Sequence, residues 1–169
     1  LKKMKLKILK ISSTDLNNIP FLEYISKKSS KSTKIILSTG MGNIIEINYA
    51  INALTKFNIL KKNISVLHCT SSYPAEDQFL NLRAINLIKR KFDISIGYSD
   101  HSVDHIASLV SIGFGAKIIE KHFTLDKKMM GPDHKASLNP KELIEFISNI
   151  RRSEKTLGSA KKIATTPEK

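Results

Sequence analysis

Histidines, hydroxyls and carboxylates crowd into a few short segments of this chain: LHCTSSYP (67–74), GYSDH (97–101), EKHFTLD (120–126) and GPDHKAS (131–137). Four of the five histidines fall in them; His105 is the exception. Side chains alternate along a strand, so Gly97, Ser99 and His101 share one face if the strand before them persists that far. Ile118, Glu120 and His122 share a face of the next strand in the same way. On adjacent parallel strands the two imidazoles, His101 and His122, would point into one space. Such a pair, completed by water and substrate oxygens, suits a divalent metal; imidazole favours zinc, while oxygen ligands also suit manganese or magnesium. A strand-end histidine serves equally well as a hydrogen-bonding structural residue.

A second group could hold an anion. Lys10 lies inside an apolar strand, where its charge is costly unless it pairs with an anion or snorkels to solvent. Ser38, Thr39 and Gly40 follow another strand; they are either a capping turn or an anion site of hydroxyls and backbone N–H groups. Lys10, Ser13, Ser38 and Ser99 together would cradle a phosphate or carboxylate. His68 and Cys69 precede their strand's end and read as core or as support behind the site. Nothing marks a general base for Cys69 as a nucleophile.

The elements that must position these groups are legible as alternating patterns. Apolar, β-branched runs at Leu6–Ile11, Ile35–Ser38, Ile64–Cys69, Ile94–Gly97 and Lys117–Glu120 recur every 23 to 30 residues. Helical periods lie between them: Ile44, Ile47, Ile51 and Leu54; Leu80, Ala84, Leu87 and Ile88; Ile106, Leu109, Val110 and Phe114. A last helix is expected from Pro140, with Asn139 as N-cap and Gly158 as stop. Continuously apolar strands joined through helices imply a parallel sheet covered by helices. That sheet is either doubly wound or part of a (β/α)8 barrel, which takes about 250 residues. No GxGxxG or P-loop follows the first strand, which disfavours nucleotide binding. In either architecture the site forms at the C-terminal strand ends, where the chemical groups lie.

With 169 residues and 41% hydrophobic composition the chain is globular in character. No apolar run reaches the roughly 18 residues of a membrane span, so no membrane role is expected. A single cysteine excludes an internal disulfide framework and suits the cytoplasm. The net charge is +13, yet 24 of the 28 basic residues are lysines in scattered groups such as Lys2–Lys7, Lys27–Lys34 and Lys89–Lys91. Nucleic-acid readers favour basic stripes with arginine forks, so no nucleic-acid partner is expected. The field would instead steer a small anion. The first residue is Leu1 rather than Met, from which a fragment is expected.

Six strings, LSTGM (37–41), LHCTSSYP, NLRAI (81–85), GYSDH, EKHFTLD and GPDHKAS, are similar in order and spacing to the sialic acid synthase family. That family comprises the bacterial N-acetylneuraminate synthases and their legionaminate and pseudaminate relatives. The resemblance implies an α/β fold, the last five βα units of a TIM (β/α)8 barrel. Residues 1–158 would be the barrel portion and 159–169 the start of a linker toward an absent antifreeze-like domain. It implies condensation of phosphoenolpyruvate with N-acetylmannosamine or a related N-acylmannosamine-type sugar, releasing phosphate, with Mn2+ or Mg2+ as cofactor. The homodimeric parent protein would be cytoplasmic.

By the same resemblance His101 and His122 bind the metal. Lys10, Ser13, Ser38, Ser71 and Ser99 bind substrate, and Tyr73 and Asp133 contact the sugar. Asp15 occupies the place of a glutamate common in the family, one methylene shorter, and Ser71 stands where some members carry asparagine. The first three strands, with an acidic residue near the metal, are expected to be missing, so the isolated chain should be unstable or inactive. Competing readings are another phosphoenolpyruvate-dependent sugar-acid synthase barrel, or a basic binding domain without catalysis.

Overall fold

The computed structural model describes residues 6–168; Leu1, Lys2, Lys3, Met4, Lys5 and Lys169 lie outside the described residues. The elements alternate as expected: β1 (Ile8–Ile11), α1 (Ile19–Lys28), β2 (Lys34–Ser38), α2 (Ile44–Thr55), β3 (Ile64–Cys69), α3 (Ala84–Phe92), β4 (Ser95–Asp100), α4 (Ile106–Gly113), β5 (Ile119–Lys121) and α5 (Pro140–Leu157). All five strands are parallel and lie in the order β1-β2-β3-β4-β5. A doubly wound sheet reverses its strand order at a switch point. The unbroken sequential order instead keeps every right-handed crossover on the same side. The result is a half-barrel with helices outside.

The pairing register assigns each strand residue to a face. Leu9, Ile35, Ile64 and their even-spaced companions Ile11, Leu37 and Val66 lie on the helix side. There they pack with Leu22, Ile51, Leu54, Ile85 and Ile88 into one buried core. Lys10, Ser38, Cys69, Ser99 and Glu120 lie on the opposite, interior face. A smaller core of Ile112, Leu138, Phe146 and Ile150 seats α5 against α4. Asn43 and Asn139 open α2 and α5 as capping boxes with Glu46 and Glu142, each side chain satisfying otherwise unpaired N–H groups.

Four boundaries differ from the sequence expectation by two residues or more or by a shift of the whole strand. The strand expected over 94–97 runs on to Asp100, because Tyr98, Ser99 and Asp100 pair with β5. The helix expected from Leu80 begins only at Ala84, since a 3-10 turn fills Asp77–Phe79 and Asn81 is left-handed at φ +46°. The first strand begins at Ile8 rather than Leu6, and the fifth is shifted to Ile119–Lys121. No helix among the described residues is long and apolar enough to cross a membrane.

Candidate active site

The C-terminal ends of β3, β4 and β5 bring an aromatic and two imidazoles together. The Tyr73 ring lies 4.0 Å from that of His101 and 5.2 Å from that of His122, centroid to centroid. The two imidazoles are 5.7 Å apart and nearly perpendicular. The convergence follows from the alternation reasoned above: β4 persists far enough for His101 to follow Ser99 onto the interior face. His122 follows Glu120 in the same way on the neighbouring strand.

His101 is oriented by the backbone. Its Nδ1 donates to the carbonyl of Thr70 at 2.7 Å, and a carbonyl can only accept, so Nδ1 carries the proton. Nε2 then keeps its lone pair; it faces Ser99 Oγ at 3.3 Å, and that hydroxyl directs its one proton to Glu120 Oε1 at 2.6 Å. Burial, with a smaller contribution from His122, lowers the His101 pKa below the usual imidazole value and so favours the neutral ring. A neutral ring held by a carbonyl through one nitrogen is the form that ligates metals through the other. Asp133 Oδ2 lies 3.9 Å from His122 Nδ1. This donor set fits a divalent cation. Among the described residues no group of three or more His, Cys, Asp or Glu side chains could hold an ion unaided. Water and substrate oxygens would fill the remaining positions.

The residues expected to cradle an anion lie across the same face. Lys10 is paired but remains partly exposed to solvent: its Nζ is 3.5 Å from Glu120 Oε2, on the far strand of the sheet. Ser38 is 3% exposed and its buried hydroxyl has no hydrogen-bond partner among the described residues. A buried unpaired hydroxyl costs free energy, and a bound anion would relieve that cost. The neighbouring Thr39 divides the two readings of this segment, because its hydroxyl and its N–H both donate to the Leu67 carbonyl and are structural. Gly40, at φ +40°, lets β2's end approach the other strands. A Cβ there would lie 2.5 Å from Ser13 Cβ and closer still to Ser71 Oγ. Ser13 and Ser71 are therefore brought together at this point, with Cys69 behind them. The Cys69 sulfur accepts from Gly40 N at 3.1 Å and lies 3.3 Å from Ser13 Oγ.

Two residues fall elsewhere or were missed. Asp15 bonds within its own 3-10 turn, accepting from Ser12 Oγ at 3.3 Å. Glu120, absent from the sequence-derived site, is the hub that joins Lys10 to Ser99. The signal was present: Glu120 shares the face of His122 two residues on. His68 lies on the helix side, where its Nε2 is 2.7 Å from the Leu80 carbonyl.

Comparison with known proteins resolves what the strand ends leave open. The model of the NeuB family matches residues 1–162. The chain belongs to the NeuB family. A NeuB-family relative, the N,N'-diacetyllegionaminic acid synthase of Campylobacter jejuni, is 46% identical over 168 residues, 99% of this chain and 49% of that protein. Human N-acetylneuraminate-9-phosphate synthase is 37% identical over 163 residues, covering 96% of this chain and 44% of its own. The chain spans about half the length of the curated relatives it matches. An N-acetylneuraminic acid synthetase from Leptospira borgpetersenii, solved with citrate, superposes with a TM-score of 0.88 at 38% identity, over 99% of this chain and 57% of that one. A DAHP synthase from Thermotoga maritima superposes at 0.72 with 17% identity and shows the fold alone. The NeuB-family half-barrel is thus five βα units of the barrel these synthases share.

Proposed function

We propose that the protein containing this chain condenses phosphoenolpyruvate with N-acetylmannosamine or a related N-acyl sugar, releasing phosphate and forming a nonulosonic acid. The observation that carries this reading is the single interior face on which Lys10, Ser38 and Ser99 stand beside the His101–His122 pair. An anion cradle and a two-imidazole site on one face match the two demands of the reaction. One substrate is a phosphorylated carboxylate, and the other presents a carbonyl oxygen that gains negative charge. The synthase relatives at 46% and 37% identity support the reading.

The roles proposed for this chain's residues follow from their places. Lys10 supplies positive charge to the phosphoenolpyruvate, and the hydroxyls of Ser13, Ser38 and Ser71 donate to its oxygens; Ser99 joins them by turning its one proton from Glu120 to the bound anion. Holding that substrate in one pose removes much of the entropic barrier to carbon–carbon bond formation. His101 and His122 would hold a divalent Mn2+ or Mg2+, whose chemistry when bound is to polarise the sugar's carbonyl oxygen. Tyr73 packs its ring at a tilt against His101 and Asp133 stands beside His122; together they orient the sugar. Glu120 accepts from Ser99 and faces Lys10, so the substrate anion takes over the lysine charge that Glu120 holds in its absence. Asp15 is proposed as a catalytic residue, held in this structure within its own turn by Ser12. The proposed setting is the cytoplasm, which the lone Cys69 suits, with a homodimer as the working assembly.

The test is an assay of the full-length protein with phosphoenolpyruvate, Mn2+ and N-acyl hexosamines, reading phosphate release and product mass. The expected result is one phosphate released per nonulosonic acid formed, abolished in His101→Ala and His122→Ala. Turnover of a phosphorylated aldose, with none of an N-acyl sugar, would refute this reading and favour another sugar-acid synthase.

A further inference from the structure

The strand residues that precede the two imidazoles form a buried ion pair on the reverse side of the sheet. Asp100 and Lys121 are register partners at the ends of β4 and β5. Because side chains alternate, both point to the helix side while His101 and His122 point inward. Asp100 Oδ2 lies 3.2 Å from Lys121 Nζ, and their side chains are 0% and 4% exposed.

Every polar group of the pair has a partner. Asp100 Oδ1 accepts from Ser102 N at 2.8 Å and from Ser102 Oγ at 2.6 Å, and Oδ2 accepts from Ser108 Oγ at 2.5 Å. Lys121 donates to the carbonyls of Ser102 at 2.5 Å and Asp104 at 2.8 Å. The pair therefore ties together four pieces of chain: the end of β4, the loop after His101, the first turns of α4 and the end of β5.

Stability is a poor reason for such a pair. Removing two charges from water costs about what their attraction returns, and apolar residues of similar size often serve as well. The better-attested use of a buried ion pair is registry. Registry matters at this corner because the paired ladder is short. β5 has three residues, and its ladder to β4 has three register pairs, the last of them Asp100 with Lys121. His122 is the next residue beyond the ladder, and His101 is the first residue of the loop that Lys121 clasps.

We infer that Asp100 and Lys121 are positioning residues for the His101–His122 pair, fixing from behind the sheet the distance at which the two imidazoles meet a divalent cation. The inference rests on the reading that these two histidines bind that cation. The pair touches neither the cation nor the substrate. Its effect passes through the backbone of residues 100–101 and 121–122.

The test uses the full-length protein and Mn2+ alone, with free Mn2+ followed by electron paramagnetic resonance and folding followed by thermal denaturation. Lys121→Met strands a buried carboxylate and is expected to lower both the midpoint and the Mn2+ affinity. Asp100→Asn combined with Lys121→Met removes both charges, and the amide still accepts from Ser102. This double variant is expected to recover much of the midpoint while Mn2+ binding stays about 10- to 100-fold weaker than wild type, as for other groups that orient ligands from outside. A folded double variant with wild-type Mn2+ affinity would overturn the inference. If the double variant does not fold, Ser108→Ala removes one bond to Asp100 and leaves the charges paired. Its Mn2+ affinity should fall severalfold, and an unchanged affinity would overturn the inference equally. His101→Ala and His122→Ala separate the two levels. Lost Mn2+ binding in them with wild-type binding in the pair variants sinks the positioning role alone; unchanged binding in them sinks the cation reading and this inference together.

Discussion

Gly97 is a tight point between the sheet and the site, and replacing it tests how the strand spacing serves the chemistry. It sits on the interior face of β4, two residues before Ser99. A Cβ added there would lie 2.5 Å from the carbonyl oxygen of Ile118, 2.9 Å from Ile118 Cβ, and closer still to a methyl of Leu67. That carbonyl accepts the Tyr98 N–H at 2.8 Å, so the obstruction falls on the β4–β5 ladder itself. Real Cβ contacts are not found below 3.0 Å, so the backbone before β5 must move by at least about 0.5 Å in a close-packed interior. Overpacking of this kind costs about 1–3 kcal/mol. Alanine's narrower unfolded ensemble offsets about 0.4–1 kcal/mol of it. The net destabilisation expected for Gly97→Ala is thus about 1–2 kcal/mol, a fall of about 2–8 °C in the denaturation midpoint. The displaced segment leads into Glu120 and His122. Misplacement by 1 Å costs about 100-fold in rate, so half of that should lower kcat/KM for phosphate release by about 10-fold. Gly113, on α4 with nothing within 4 Å of its added Cβ, is the control. There alanine should stabilise by about 0.5–1 kcal/mol and leave the rate alone. Wild-type rate and midpoint in Gly97→Ala, or equal damage from Gly113→Ala, would refute the reasoning.

Two further outcomes are expected. Ser38→Ala removes a buried hydroxyl that has no partner among the described residues, so the midpoint should stay level or rise. The apparent KM for phosphoenolpyruvate should rise severalfold, because a donor to the anion is lost; a large loss of stability would show that the hydroxyl is structural. Burial lowers the pKa of His68 and of His101 below the unfolded value of 6.5. A depressed histidine takes up its proton more readily when unfolded, so the stability it contributes is full above pH 6.5 and is lost as pH falls through the folded values. Urea unfolding should therefore show lower stability at pH 5 than at pH 7.5, with a shallower slope for His68→Gln; equal slopes would count against the burial argument.

Much of this arrangement was legible in the chain's pattern. The five apolar runs and the periods between them specified the five βα units. Asn139 before Pro140 marked the start of α5, and its capping box with Glu142 is formed. Strand alternation alone put His101 and His122 on one face. The strand ends were harder. Tyr98, Ser99 and Asp100 are not an apolar run, and they are strand because β5 supplies their backbone partners. Helix propensity extended the third helix back to Leu80, but the left-handed Asn81 and the turn before it stopped the helix at Ala84.

Sequence by itself determined the class of the fold, the faces of its strands and the ends at which chemistry gathers, because periodicity is a local property of the chain. Tertiary structure alone decided which groups meet. Lys10 and Glu120 are 3.5 Å apart although β1 and β5 lie at opposite edges of the sheet, because the sheet curls toward a barrel and brings its edges inward. Among the described residues Ser38 is buried without a partner while Thr39 beside it is satisfied, and strand register sets Asp100 opposite Lys121 behind the two histidines. Distances across strands depend on register, twist and curvature, which are set by the whole sheet and written at no single position in the chain.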